Sequence, residues 1–349
     1  MNLLGGSELE KKTFTIYDIA EATNVSPATV SRVLNGNYPV SRKTREKVMA
    51  KIEEYNFQPN GIARSLTRKE TKMIGFILPD ITNPFFSRIF IEVEKYALIK
   101  GYTIFLCNSM NDSTMESLYL RVLSERQVEG IIMMGGRINK TVTVLEEAKE
   151  VLDVMSKIPV LMINGEMESV DCYKVRSDEN KGIRMIVDYL VKMGHKNIGL
   201  LGGRKGVTST DIKVQGFIQT LKAYRLVYNT NWHIYSEFSV ESGEYAMRTL
   251  LQNRELPTAI ICMNDMIASG ALIECNNQNI NPEKFSFVGY DDTFVASIVT
   301  PSLTSVNHNY KKIGKAAVDL IIDAKSKKEE KKEIVVEPFL TKRNSSHFC

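Results

Sequence analysis

The sequence predicts a small all-α headpiece followed by a larger α/β body of two lobes with parallel sheets. Residues 15–55 hold three short amphipathic segments, each opened by a capping residue. From Met73 onward, short apolar runs alternate with stretches of helical period. At least seven such runs spread over about 270 residues, more than one comfortable core can hold.

The first helix is expected to open at Thr15 and to bury Ile16, Ile19, Ala20 and Val25, with Asp18 favouring its N-terminus. The second opens at Ser26-Pro27: Ser26 can cap, and proline at the first helical position loses no needed donor. It continues through Leu34 and breaks at Asn35-Gly36-Asn37. The third runs from Ser41 to about Tyr55, with Val48, Ile52 and Tyr55 on one face. The basic segment Gly61–Lys69 has too little apolar surface to fold alone. The apolar runs are Ile74–Leu78, Thr103–Cys107, Gly130–Met134, Val160–Ile163, Ile198–Leu201, Ala259–Met263 and Phe285–Gly289. Short buried strands alternating with helices read as parallel sheets covered on both faces. The run Lys325–Lys332 reads as a solvated loop.

Net charge is +4. Residues 1–72 carry 12 Lys and Arg against 8 Asp and Glu, while the remainder carries 33 of each sign. The positive excess is thus confined to the headpiece, as in a module that displaces counterions from DNA. Met1–Lys12 lacks the apolar core of a secretion signal, and no apolar run is long enough to span a bilayer. The five cysteines are scattered, without metal-site spacing or a disulfide framework. A cytoplasmic protein with neither metal nor cofactor is expected.

Residues 15–34 fit a helix-turn-helix. Asn24-Val25-Ser26 makes the turn, and Val30 and Val33 face inward. Pro27, Ala28, Thr29, Ser31 and Arg32 are then left near the groove. Ala28 and the Thr29 methyl suit thymine methyls, and Arg32 can fork onto guanine. Tyr17 and Ser31 can anchor phosphates. Ser26, with Thr15 and Asn35 at the ends of the motif, completes the expected contacts.

These residues carry a resemblance. Ile16–Glu21, Val25–Asn35 and Thr44–Val48, followed in register by Pro59-Asn60, Ala63-Arg64, Leu66 and Ile74-Gly75, closely resemble the lactose-repressor (LacI) family. The likeness continues through Pro79–Ile81, Asn83–Phe86, Gly194-His195, Asn264-Asp265, Gly289–Asp292 and Pro301–Val306. It implies a homodimer on a pseudo-palindromic operator in double-stranded DNA. It also implies a hinge, with Asn60, Ala63 and Arg64 on DNA and Leu66 wedged into the minor groove, where an apolar side chain unstacks one step. The domains expected are a headpiece at 13–58, a hinge at 59–71 and an effector-binding and dimerisation body at 72–349. The N-lobe would take about 72–171 and 307–337, and the C-lobe about 172–306 and 338–349.

The body resembles periplasmic sugar-binding proteins, whose ligands sit between lobes at the carboxyl ends of strands. Asp80 and Asn83 follow the first strand and can bond hydroxyls, and a phenylalanine beside them can stack on a sugar. Asn108-Ser109, Asn164, Asn264-Asp265 and Asp291-Asp292 follow later strands. The resemblance places effector contacts at Phe85 or Phe86, Lys213, Asn264, Asp291 and His308. Many sugar and purine responders have arginine where this chain has Lys213, which gives up a planar fork for a point charge. A phosphorylated sugar, or a different binding mode, gains weight from that change. Asp178 and Asp265 also read as helix caps, His195 as a helix closer, and Cys107 and Cys262 as core.

An enzyme is disfavoured. The chain has no GxxxxGK[ST] loop, G-x-S-x-G elbow or HExxH site, and only four histidines. The expected function is a repressor governed by a small carbohydrate-derived effector. The alternative is the catabolite-control branch of the family, which docks a serine-phosphorylated HPr-like corepressor. Arg88 could meet that phosphate, but Phe294–Pro301 carries no basic residue.

Overall fold

The computed structural model describes residues 14–35, 39–57, 70–326 and 332–349. The chain divides into two compact units, Met1–Thr71 and Lys72–Cys349. In the first, α1 (Ile16–Thr23), α2 (Pro27–Asn35) and α3 (Arg42–Glu54) surround buried Ile19, Ala20, Val30, Val33 and Val48. Thr15 and Asp18 form a reciprocal capping box at the start of α1, which satisfies donors the helix leaves unpaired. Asn24 ends α1 in the left-handed conformation, a role asparagine tolerates.

The second unit holds two six-stranded sheets. One is ordered β11 (Glu333–Val336), β5 (Tyr173–Ser177), β4 (Val160–Ile163), β3 (Gly130–Met134), β1 (Met73–Leu78), β2 (Thr103–Asn108). The other is ordered β12 (Phe339–Thr341), β10 (Thr304–Asn307), β9 (Ser286–Asp291), β8 (Ala259–Cys262), β6 (Ile198–Leu201), β7 (His233–Ile234). All pairings are parallel except β10 with β12.

Helices follow the strands as crossovers: α4 (Pro84–Ile99), α5 (Ser113–Glu125), α6 (Leu145–Met155), α7 (Glu179–Lys192), α8 (Thr208–Ala223), α9 (Val240–Leu251), α10 (Asp265–Asn277), α11 (Phe294–Ile298) and α12 (Tyr310–Ser326). The N-lobe sheet is buried on one face beneath α4 and α12. Its other face carries Ile77, Ile131, Met133, Val160 and Met162 against α5 and α6. The C-lobe core is one continuous cluster from Ile183 to Val306.

The expected lobe boundary at 171/172 is corrected. β5, with Tyr173 and Arg176 partly exposed, pairs with β4 and β11 inside the N-lobe sheet. The chain therefore crosses to the C-lobe after Ser177, where α7 begins burying Ile183, Ile186 and Val187. It crosses back between β10 and α12, and again between β11 and β12. The expected loop Lys325–Lys332 lies largely outside the described residues; Lys332 itself pairs with Asp171. Among the described residues, no helix is long and apolar enough to cross a membrane.

Candidate DNA-reading face and interlobe cleft

In the headpiece, burial of Val30 and Val33 turns the opposite side of α2 outward. Ala28 and Arg32, four residues apart, are exposed on that side, with Pro27, Thr29 and Ser31 half-buried beside them. Tyr17 is 70% exposed, open to the phosphate contact expected of it. Ser26 Oγ accepts from Thr29 N at 3.2 Å and lies 2.9 Å from Thr29 Oγ1. Thr15 Oγ1 donates to Asp18 at 2.6 Å. Both residues thus cap helices as well as standing at the candidate face. Asn35 ends α2, but its side chain lies outside the described residues, as do Asn60, Ala63, Arg64 and Leu66.

In the body, the carboxyl ends of strands from both lobes converge on a cavity of about 410 Å³, the size range of a small-ligand site. β1 delivers Asp80 and Asn83, and the start of α4 delivers Phe85 and Phe86. β3 leads to Arg137, β4 to Asn164, β8 to Asn264 and β9 to Asp291, while α8 supplies Lys213. Seven of the eight expected effector residues line one cavity. His308 does not: it is fully buried behind Asp291, and its Nε2 lies 3.0 Å from Asp291 Oδ1. Its ring packs among Phe85, Tyr290 and Tyr310.

Several expected residues also have structural duties. Asn83 caps α4 by accepting from Phe85 N at 3.0 Å. Asn264, and not Asp265, caps α10, accepting from Ile267 N at 2.9 Å. Asp178 caps α7. Asp265 is wholly buried and accepts from Ser305 Oγ, Thr293 N and Thr293 Oγ1. Burial, reinforced by the neighbouring Asp291 carboxylate, pushes its carboxyl up to about 8. His195 is buried between Thr258 and the His347 carbonyl, and Cys107 and Cys262 are buried.

The turn after β9 is strained. Asp291 has φ 97° and Asp292 φ 48°, conformations that cost a non-glycine residue unless its surroundings impose them. They do so here. Tyr310 Oη donates to the Asp291 carbonyl, and Asp292 N donates to Ser305 Oγ at 2.9 Å. The Asp292 carboxylate receives Asn307, Thr341 and Arg343 at 2.6–2.8 Å. The Asp291 carboxylate is thereby fixed at the cavity wall.

Three cavity residues carry no signal in periodicity or spacing. Arg137, in the one-turn 3-10 helix Gly136–Asn139, is the largest fully buried side chain described. It donates to Glu116 at 2.6 Å, to Glu150 at 2.7 Å, to the Ser113 carbonyl at 2.6 Å and to Ser117 at 2.8 Å. A Cβ on Gly136, at φ 61°, would stand 1.8 Å from Glu116 Oε1, so only glycine lets that carboxylate approach. Burial pushes the Glu116 carboxyl up, and Arg137 draws it down. Glu179, the first residue of α7, lies 3.4 Å from Lys213 Nζ. Beside the cavity the lobes touch directly: Lys140 bridges to Val207, and Thr141 N donates to the Gly206 carbonyl at 3.1 Å. Among the described residues, no cluster of His, Cys, Asp or Glu is suited to a metal ion.

Comparison with known proteins matches two separate stretches of the chain. Residues 15–60 match the family model for bacterial regulatory proteins of the lacI family, and residues 187–346 match the periplasmic binding protein-like domain. The HTH-type transcriptional repressor PurR of Vibrio campbellii is 31% identical over 333 residues, 95% of this chain and 98% of that protein. Its counterpart in Aliivibrio salmonicida is 29% identical over 335 residues, covering 95% and 99%. Among solved structures, the lac repressor dimer bound to operator and the anti-inducer ONPF superposes with a TM-score of 0.86 at 26% identity, covering 96% of this chain and all of that one. CcpA of Lactococcus lactis shares the fold, with a TM-score of 0.70 at 23% identity over 78% of this chain and 98% of that one. With an outward-facing second helix in its headpiece, a cleft at the strand ends of its body and a 31% identical repressor aligned along almost its whole length, the chain belongs to the lacI family of bacterial regulatory proteins.

Proposed function

We propose that the chain is a transcriptional repressor that binds a pseudo-palindromic operator as a homodimer and is switched by a small effector in the interlobe cleft. The observation that carries this reading is the pairing, in one chain, of an exposed Ala28–Arg32 face with a cavity enclosed by both lobes. Residues 13–58 would read the major groove, residues 59–71 would form the hinge with Leu66 as its minor-groove wedge, and residues 72–349 would sense the effector and dimerise. Such a protein works in the cytoplasm, where operator DNA is.

The switch needs only a difference in affinity. An effector that binds one relative orientation of the lobes more tightly shifts the population toward it. Because both lobes line the cavity, their orientation and ligand contact are linked. A shift that separates the hinges across the dimer weakens DNA binding; one that brings them together strengthens it.

The corepressor alternative finds less support. Arg88 is exposed, with its guanidinium 4.9 Å from the Tyr310 ring. Phe294 and Ile298 on α11 are exposed, apolar and without a basic neighbour in Phe294–Pro301, whereas a phosphoserine partner calls for arginine.

Selection of bound duplexes from a random pool, followed by fluorescence anisotropy at increasing salt, tests the function. The expected result is enrichment of a palindrome whose binding falls steeply with salt. Failure to enrich any duplex, with and without candidate metabolites, overturns the reading.

A further inference from the structure

The lobes are joined covalently where the chain crosses between them, and beside the cavity they are joined again by main-chain pairing. Lys140 and Val207 form an antiparallel bridge, and Thr141 N donates to the Gly206 carbonyl at 3.1 Å. Thr208 Oγ1 adds a bond to Asn139 Oδ1 at 3.4 Å. Asn139, Lys140, Gly206 and Val207 also line the cavity, so parting this pairing parts the cavity wall. Backbone pairing fixes distance and register together, and lobes that turn relative to one another cannot keep it.

The two sides of the pairing are built differently. On the N-lobe side, Arg137 is tied to Glu116, Glu150, Ser113 and Ser117. Glu166 N donates to the Ile138 carbonyl at 2.8 Å, Glu168 N to Thr143 Oγ1 at 2.8 Å, and Lys140 Nζ to Glu147 at 2.7 Å. On the C-lobe side, Gly202, Gly203 and Gly206 have φ of 90°, 93° and 80°. Packing demands glycine at the first two: a Cβ would lie 2.1 Å from Ile267 Cδ1 at Gly202 and 2.7 Å from Thr210 Cγ2 at Gly203. At Gly206 a Cβ would meet only Thr141 Oγ1, at 3.9 Å, so what glycine supplies there is backbone freedom and not space. Val207, at the N-cap of α8, makes no side-chain cap bond. The side-chain contacts of this loop are loose ones: Arg204 stands 3.8 Å from Glu237, and Lys205 lies 4.9 Å from the Tyr235 ring. One side of the pairing is rigid, and the other is held lightly enough to let go.

We propose that residues 139–141 and 206–208 form a ligand-independent clasp that selects this orientation of the lobes, and that Gly206 is the residue at which it releases. The clasp biases the two-state equilibrium before any ligand arrives. An effector that requires another orientation must first break it, whereas one that requires this orientation finds it already made. The consequence for DNA rests on the repressor reading above; the clasp itself is measurable without DNA or effector.

The test uses full-length protein carrying Cys349→Ser as parent, the other four cysteines being buried. Exchange of the Thr141 amide hydrogen is followed residue by residue, with the Val142 amide, which has no described partner, as reference and each rate taken relative to its intrinsic value. Thr141 is expected to be the slower of the two. Gly206→Ala keeps donor and acceptor but sets a Cβ on a left-handed residue, and should speed Thr141 exchange by about fivefold or more while leaving Val142 unchanged. Lys140→Cys/Val207→Cys joins positions whose Cα atoms stand about 4.5–5.5 Å apart in an antiparallel pair, within disulfide reach; oxidation should cross-link them and slow Thr141 further. On a selected operator, the oxidised double variant should bind like the parent, and Gly206→Ala should differ from both. An unprotected Thr141 amide, or a folded double variant that forms no disulfide, overturns the clasp. Equal operator affinity in all three proteins overturns its role as a bias on the switch. If Thr141 is protected and the disulfide forms but no operator can be selected, the clasp stands and the repressor reading fails. Should Gly206→Ala not fold, Thr141→Pro replaces it. That change removes the donor, and Lys140, already extended at φ −74° and ψ 136°, accommodates a following proline. Disulfide formation in the Lys140→Cys/Val207→Cys background should then slow by about two- to tenfold, and an unchanged rate overturns the proposal.

Discussion

Replacing Arg137 with methionine removes one guanidinium and strands one carboxylate. Arg137 has no exposed side-chain surface, and Glu116 is only 4% exposed. Without the arginine side chain, Glu116 would keep a charge at the nearly buried edge of the cavity, with only the backbone N–H of position 137 left to offset it. Glu150 is 44% exposed and can resolvate. The loss is therefore that of one buried, uncompensated carboxylate, about 3–5 kcal/mol. The double variant Arg137→Met/Glu116→Gln removes the stranded charge and should recover to within about 1–2 kcal/mol of native. The deficit of the single variant should also depend on pH. Burial already holds the Glu116 carboxyl above its ordinary range, and losing Arg137 raises it further. The folded variant then binds that proton more tightly than the unfolded chain, so acidification from pH 8 to 5 should narrow the gap. Urea unfolding followed by circular dichroism reads the loss. The fluorescence of Trp232, the single tryptophan, lies in the C-lobe core and separates that lobe's transition from the other. A cost below about 1 kcal/mol, or a double variant no more stable than the single, would refute the argument.

Three further outcomes are expected. Arg32→Ala should cost roughly 1–3 kcal/mol on the selected operator and relax preference at one base pair; an unchanged profile across operator variants removes Arg32 from base readout. Leu66→Ala should reduce operator bending, measured by energy transfer between labelled duplex ends, while effector affinity stays the same; an unchanged bend discards the wedge. Asp265 carries its proton in the folded protein at neutrality, because its carboxyl is raised to about 8, whereas an unfolded aspartate ionises near 4. The stability it contributes is full below the unfolded value and is lost as pH rises through about 8. Asp265→Asn should flatten that decline between about pH 4 and 8, and an undiminished slope in the variant assigns it to another group.

The sequence made the headpiece legible because caps and burial agree there: Thr15, Ser26 and Ser41 open helices whose inward residues are the periodic ones. The strand ends were legible for a related reason. Apolar runs such as Ile74–Leu78 and Ala259–Met263 mark buried parallel strands, and the polar residues directly after them line the cavity. β5 was missed because Tyr173, Lys174 and Arg176 alternate with Val175 and Ser177 in a half-exposed pattern, and short β7 and β12 offer little periodicity. Arg137 and Glu179 were missed for a different reason. Their partners, Glu116 and Lys213, are brought close by the fold, and one-dimensional spacing carries no trace of that. Lys213 illustrates the point: its Nζ lies 3.4 Å from Glu179 Oε1, a neighbour that spacing along the chain does not reveal.

The three passages of the chain between lobes bear on synthesis. The face of the N-lobe sheet that holds Phe76, Ile132 and Leu161 is closed by α12, which packs on α4, β3, β4 and β5. That helix lies beyond the whole C-lobe stretch from Glu179 to Asn307. A ribosome making this protein must therefore release over a hundred residues of the second lobe before the first can seal. In that interval an apolar sheet stands open, so translation rate and chaperone supply should govern the yield of native protein more strongly than in a repressor whose lobes are contiguous.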